Sequence, residues 1–321
     1  MPNSQTTIPL PAFEVHISAP DLYDWRAGNT GIAGVTTRDS GKPGPHVALL
    51  SITHGNEIAG AIALDRLLRD GLVPTSGRLS FVFCNLSAYD RFDPAHPTAS
   101  RFVDEDLNRV WDEALLDGPR HSIELNRARE LRPLIDTAEV VLDIHSMLWD
   151  ADPLMLCGSA LRGRDLARLI GAPPLIVADD GHANGRRIID YTRFTDPDTT
   201  WSANLVEAGQ HWQPSTVATA LDCIGGLLRG LGMVGPDAPL PAVVPVEQRL
   251  AEVTQTITAS SSTFAFVQPW RGGQVIPERN TLLALEGETE FRTPHDDCLL
   301  VMPSLRPTRG HTAVRLARFV D

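Results

Sequence analysis

The sequence contains no Cys-x-x-Cys pair, no apolar run of about 18 residues and no block of lysine and arginine. Each absence removes a class of function. The four cysteines, Cys84, Cys157, Cys223 and Cys298, are widely scattered. That argues against a disulfide framework or a cysteine zinc site and for reduced thiols in the cytoplasm. Without a long apolar run, no transmembrane helix is expected. A formal net charge of -12 speaks against nucleic acid and against an anionic membrane surface, since both need concentrated cations. It leaves room for an acidic small substrate, for which a few local arginines suffice. The N-terminal stretch MPNSQTTIPLPAFE has neither a basic start nor an apolar core of signal-peptide length. A serine or cysteine hydrolase is disfavoured, because Ser146 and Cys157 lack the G-x-S-x-G elbow. No internal repeat or low-complexity tract stands out.

The 321 residues, 42% hydrophobic and 21% charged, suffice for two domains or one large one. Short apolar runs rich in β-branched residues predict buried strands at 46–52, 79–86, 140–146, 153–158, 175–178 and 204–209. Helical spacing predicts helices over 58–71, ending on Gly71, over 122–135 and over 216–232. Strands alternating with helices predict an α/β fold, a mixed and mostly parallel sheet with helices on both faces. The stretch MVGPDAPLPAVVPVEQ (233–248) reads as a proline-rich linker. Short Thr- and Val-rich runs beyond it predict a smaller all-β portion. The expected division is 1–235 for the α/β domain and 236–321 for a small β domain.

The polar residues cluster at predicted strand ends, where open α/β sheets form their ligand crevice. THGNE (53–57) follows the first buried strand. His54 and Glu57, three apart, can share one side of a helical first turn, and an imidazole with a carboxylate makes two of the three ligands of a His₂Glu zinc site. Taken alone, Glu57 reads equally as an acid favoured by a helix dipole. VVLDIHSM then places His145 at the end of another strand, a third ligand candidate. Asp143, on the same strand face, can orient that imidazole or pair with it in a core. RFVDEDLNRVW (101–111) offers Arg101, Asn108 and Arg109, suited to a carboxylate or an oxyanion, or to surface ion pairs. Glu207 in NLVEAGQH is a candidate general base, or an exposed glutamate past the strand end.

HGNE, RFVDEDLNR, DIHS and VEAG, in that order, resemble the succinylglutamate desuccinylase/aspartoacylase family, relatives of the zinc carboxypeptidases. The β-rich tail with GGQVIPERNTLLALEG is similar to the C-terminal β domain of that family. The resemblance implies a zinc carboxypeptidase-like fold capped by that β domain, and one zinc per chain on His54, Glu57 and His145. It implies Glu207 as general base and later proton donor, Arg101 polarising the scissile carbonyl, and Asn108 with Arg109 gripping an α-carboxylate. The reaction implied is hydrolysis of an N-acyl amino acid or similar small amide.

This sequence departs from the family pattern in three ways, one of them the stretch SAYDRFDPAHPTAS before DLNR, which lacks the proline that usually follows the asparagine in relatives. Arg193 is not at the spacing of the extra arginine that precedes VExG in aspartoacylase-like members, and Tyr23, Tyr89 and Tyr191 are the only tyrosines, so the β domain supplies none. N-acetylaspartate and N-succinylglutamate are therefore disfavoured. DDGHANGRRIIDYTR, with His182, Arg186, Arg187 and Arg193, reads as a specificity loop or as an ordinary solvated one. Two other functions share the motifs: a metallocarboxypeptidase acting on short peptides, and a catalytically silent small-molecule-binding relative. The ligand set does not exclude cobalt, manganese or iron. Whether the chain forms a homo-oligomer is left open by the sequence.

Overall fold

The structure, a computed structural model, describes residues 12–181, 184–242 and 246–320. The N-terminal stretch through residue 11, His182 and part of the proline-rich linker lie outside the described residues.

The strands are β1 (Val35–Asp39), β2 (His46–Ser51), β3 (Arg78–Phe83), β4 (Val140–Met147), β5 (Leu154–Leu156), β6 (Leu175–Ala178) and β7 (Ser202–Gln210). They continue with β8 (Arg249–Thr258), β9 (Ala265–Phe266), β10 (Val275–Ile276), β11 (Leu282–Glu286), β12 (Thr289–Arg292), β13 (Cys298–Val301) and β14 (Thr312–Phe319). The main sheet runs β1-β3-β2-β4-β7-β5-β6-β8-β14-β13-β10, and a small antiparallel sheet runs β12-β11-β9. Strands β3, β2, β4 and β7 are mutually parallel, and β5 runs against β7. The result is the mixed α/β architecture expected, with a smaller β portion. Among the described residues no helix is long and apolar enough to cross a membrane.

Each predicted strand is present, and β7 starts two residues early because Ser202 still pairs with Val140. The helix Ile58–Arg69 ends before Gly71, whose φ of 74° closes the turn. The helix Ile123–Ile135 is capped by Ser122, whose hydroxyl accepts from Leu125 N. The helix Pro214–Gly230 opens on a proline, where the missing N–H carries no penalty. The two longest unanticipated elements are β1 and the helix Leu161–Ile170. Strand β1 is a short antiparallel edge bounded by turns. The helix Leu161–Ile170 has low mean apolarity, with a glycine and four charges.

The two faces of the sheet bury separate cores. On one, Leu49, Leu142 and Ile144 pack with Leu64, Leu67, Ile224 and Leu227 of the long helices. On the other, Val141, Leu205 and Val177 pack with Leu125, Leu131, Trp111 and Ile188. A third core, Ile257, Trp270, Leu283, Leu300 and Leu316, lies in the C-terminal portion. Yet β8 pairs in parallel with β6 and antiparallel with β14, so this portion extends the main sheet. All four cysteines are buried and unpaired. Burial pushes the thiols of Cys84 and Cys157 up to about 12 and that of Cys298 to about 11.

The loop after β2 is sterically tight. Ile52, a β-branched residue, turns the chain at a φ of 47°, a conformation that costs about 1–3 kcal/mol and persists because the surroundings impose it. Gly55 lies against the turn Leu86–Tyr89, where a Cβ on it would come within 2.4 Å of the Ala88 carbonyl carbon. Substituting Gly55→Ala should destabilise the fold by about 1–3 kcal/mol, read as a lower denaturant midpoint. A midpoint at the wild-type value would show that the loop yields freely.

Candidate metal and catalytic site

The site forms where β2, β4 and β7 end. Chain direction explains the convergence. The alternation along β4 sends Val140, Leu142 and Ile144 to one core, so Asp143 and His145 face the other side. Register then sets His145 directly beside Glu207 of β7. The loop after β2 delivers His54 and Glu57, held by Gly55 N–H donating to the Arg101 carbonyl and by the Trp212 indole donating to the Asn56 carbonyl.

Glu57 is the hub. Its side chain is 2% exposed and does not cap the helix that follows. Its Oε1 lies 2.7 Å from His54 Nδ1 and 3.1 Å from Arg101 Nη1. Its Oε2 lies 2.9 Å from His145 Nδ1 and accepts from Ser146 N at 3.0 Å. The ligand atoms of His54, Glu57 and His145 all fall within 4.8 Å of one another. Burial alone would raise the Glu57 carboxyl, but the two imidazoles outweigh it and hold the group well below the usual carboxylate range.

Both imidazoles are braced from behind. His54 Nε2 lies 2.9 Å from Asp106 Oδ1, and His145 Nε2 lies 2.8 Å from Asp143 Oδ2. In each ring the outer nitrogen meets a carboxylate while Nδ1 faces Glu57, the arrangement that fixes ring orientation in metal sites. Burial lowers His145, yet Asp143 and Glu57 carry it well above its ordinary value. Burial likewise pushes Asp106 up, but His54 and Arg101 hold it well below. Thr53 Oγ1 donates to Asp143 Oδ1 at 2.8 Å.

The remaining sequence-predicted residues fall around this hub. Arg101, partly exposed, pairs with Glu57 and, at 3.2 Å, with Asp106. Asn108 is buried; its Oδ1 accepts from Ile188 N at 2.8 Å, and its Nδ2 lies 3.4 Å from Asp143 Oδ2 and 3.3 Å from His145 Nε2. Arg109 donates to the Asn108 carbonyl. Burial lowers Arg109 to about 10, and Arg101, Arg187 and Arg315 add to that against Asp106. Glu207 lies within β7 rather than past it, 7% exposed, and its Oε2 has no hydrogen-bond partner among the described residues. Burial first, and then the nearby Glu57, push its carboxyl up to about 8.

Arg193 is placed away from the hub, its guanidinium 3.5 Å from the Trp201 ring centroid and donating to the Ala138 carbonyl. Asp106 was not singled out from sequence. The signal available was general: a metal-ligating imidazole needs a partner on its second nitrogen, and DEDLNR offers three acids. The amide of Ser146 was missed because backbone donors carry no residue signature.

Residues 43–152 match the succinylglutamate desuccinylase/aspartoacylase catalytic domain. A succinylglutamate desuccinylase of Pseudoalteromonas atlantica is 35% identical over 94 residues, 28% of this chain and 25% of that protein. The chain thus spans about a quarter of the length of the relative it matches. The crystal structure of succinylglutamate desuccinylase from Vibrio cholerae shares the fold with a TM-score of 0.68 at 18% identity, over 90% of this chain and 86% of that one. A succinylglutamate desuccinylase/aspartoacylase structure from Rhodobacter sphaeroides does so with a TM-score of 0.65 at 16% identity, over 89% of each chain.

The raised Glu207 carboxyl has a consequence for stability. In metal-free protein the folded state keeps a proton there that the unfolded chain releases near its ordinary value of 4.5. That contribution is full below 4.5 and lost as pH rises through about 8. Metal-free Glu207→Gln should therefore melt together with wild type at acid pH and above it at about pH 9. Parallel melting curves across the range would remove the shift.

Proposed function

We propose that the chain, whose residues 43–152 match the succinylglutamate desuccinylase/aspartoacylase catalytic domain, is a zinc-dependent amidohydrolase of that family that cleaves the amide bond of an N-acyl amino acid. The observation that carries this reading is the convergence of His54 Nδ1, His145 Nδ1 and both carboxylate oxygens of Glu57. The donor set fits the metal. Two imidazoles and a carboxylate are a zinc combination, and Asp106 and Asp143 leave each Nδ1 directed inward. His54, Glu57 and His145 are the residues that hold the ion. When bound, it supplies Lewis-acid polarisation of water and of an amide carbonyl.

The protein's own groups do the rest. Glu207, beside His145 and short of a hydrogen-bond partner at Oε2, takes the proton of the attacking water and returns it to the departing amine. Desolvation suits it to that exchange, because a raised carboxyl binds and releases a proton near neutral pH. Arg101, with a partly exposed guanidinium at the hub, stabilises the oxyanion of the tetrahedral intermediate. Arg109, desolvated among other cations, draws the substrate's α-carboxylate, and Asn108 fixes its approach. The substrate is thus a small molecule. Four buried unpaired thiols suit a reducing cytoplasm.

Elemental analysis of protein purified without a histidine tag should find about one zinc per chain, lost in Glu57→Ala. Metal absent from both, after zinc is supplied, would refute the proposal. Glu207→Ala should keep its metal while kcat falls about 10²–10⁴-fold, and undiminished turnover would remove it as the base. Arg109→Ala should raise KM for substrates with a free α-carboxylate far more than for their amides. Equal effects on both would contradict its assignment.

A further inference from the structure

We propose that Arg187 is a positioning residue for the metal centre. It rests on the reading above, and it adds a residue to which the family resemblance gives no role. Arg187 is 1% exposed, and four hydrogen bonds fix its guanidinium. Nη1 and Nη2 meet Asp179 at 3.0 and 2.8 Å, while Nε and Nη2 meet Asp190 at 2.7 and 2.9 Å. Asp179 follows β6 directly and also pairs with Arg315 of β14, at 3.4 Å. The arginine is thus clamped between Asp179 at the end of β6 and Asp190 of its own turn, and Asp179 is tied onward to β14.

The clamp fixes a turn that reaches the metal ligands. The next residue, Ile188, donates its N–H to Asn108 Oδ1. An amide side chain is close to symmetric in shape, so its orientation is set by its partners. A backbone donor on one side forces the oxygen there and the NH₂ group to the other. That NH₂ group faces Asp143 Oδ2 and His145 Nε2, where Asp143 braces the imidazole. The same turn is tied down again where Trp111 N donates to the Arg186 carbonyl. A contiguous path therefore runs from Arg315 through Asp179, Arg187, Ile188 and Asn108 to His145.

A burial this complete is weak grounds for a gain in stability, because desolvating the ions offsets most of their attraction. What a planar, four-bonded guanidinium does provide is a fixed angle. Arg187→Lys keeps the charge and loses the fork, so it separates these two roles.

The test compares Arg187→Lys, Asn108→Ala, the double variant and Arg129→Lys. Arg129 is a partly buried arginine that, among the described residues, bonds within its own neighbourhood, to the carbonyls of Leu115, Leu116 and Gly118 among others. Two readouts are taken: the zinc dissociation constant, by competition with a fluorescent chelator, and the His145 ring nitrogens in ¹⁵N-histidine NMR of metal-free protein. Asn108→Ala should weaken zinc binding about tenfold or more. Arg187→Lys should weaken it less, and the double variant should bind like Asn108→Ala alone, since both act on one path. The His145 ring resonances should move in these variants and stay in Arg129→Lys. If Arg187→Lys does not fold, Arg315→Gln serves, with the same direction of change. Wild-type zinc affinity and an unmoved His145 in Arg187→Lys would overturn the proposal, as would losses that multiply in the double variant. Zinc binding absent from wild type would instead overturn the proposed function, and the NMR comparison alone would then decide the role of Arg187.

Discussion

One buried carboxylate dictates the arrangement of everything around it. Glu57 is out of water, and an ionised carboxylate in that position is unfavourable by several kcal/mol unless cations and N–H groups surround it. It has four such partners, drawn from three segments: His54 beside it, Arg101 from the loop beyond β3, and His145 with the Ser146 amide from β4. The Glu57 charge therefore depends on the register of β2 against β4 and on the shape of the loop between β2 and its helix. The left-handed Ile52 and the close approach of Gly55 to Ala88 are local compromises to that requirement.

The parts of this design that show in sequence are those in which each residue carries its own signal. β2, β4 and β7 are legible because β-branched runs have no other plausible place, and THGNE and DIHS stand out as polar breaks at their ends. The candidate ligand set follows from residue types and spacing together with the family resemblance. What stayed hidden depends on partners distant in the chain. Asp106 is one of three nearby acids, and only folding selects it for His54. In DDGHANGRRIIDYTR three arginines look alike, yet Arg187 is drawn inside, Arg186 pairs with Asp112 and Arg193 stacks on Trp201. The helix Leu161–Ile170 was unreadable for a related reason: its glycine faces Cys157, where a Cβ would meet the carbonyl oxygen at 2.1 Å, so tertiary contact selects a residue that local propensity disfavours.

The C-terminal portion shows how a core and a sheet can divide a chain differently. By side-chain packing it has a cluster of its own around Trp270 and Leu316. By backbone pairing it is continuous with β6 through β8. Arg315 belongs to β14 by register but to Asp179 by charge. A region that sequence composition separates is thereby joined to β6 and to the residue that follows it by hydrogen bonds and by a buried ion pair.

The burial of the four thiols has a practical side. Cys84 follows β3, Cys157 follows β5, Cys223 lies in the helix Pro214–Gly230 and Cys298 begins β13; Cys157 and Cys223 share one core, while Cys84 and Cys298 lie in the other two. With little thiolate and at most 3% exposure, each reacts slowly in the closed fold. Alkylation at each cysteine then proceeds mainly when the core around it opens. The wild-type chain thus carries internal clocks for the breathing of its three cores, readable peptide by peptide in a mass spectrometer without introducing a label site.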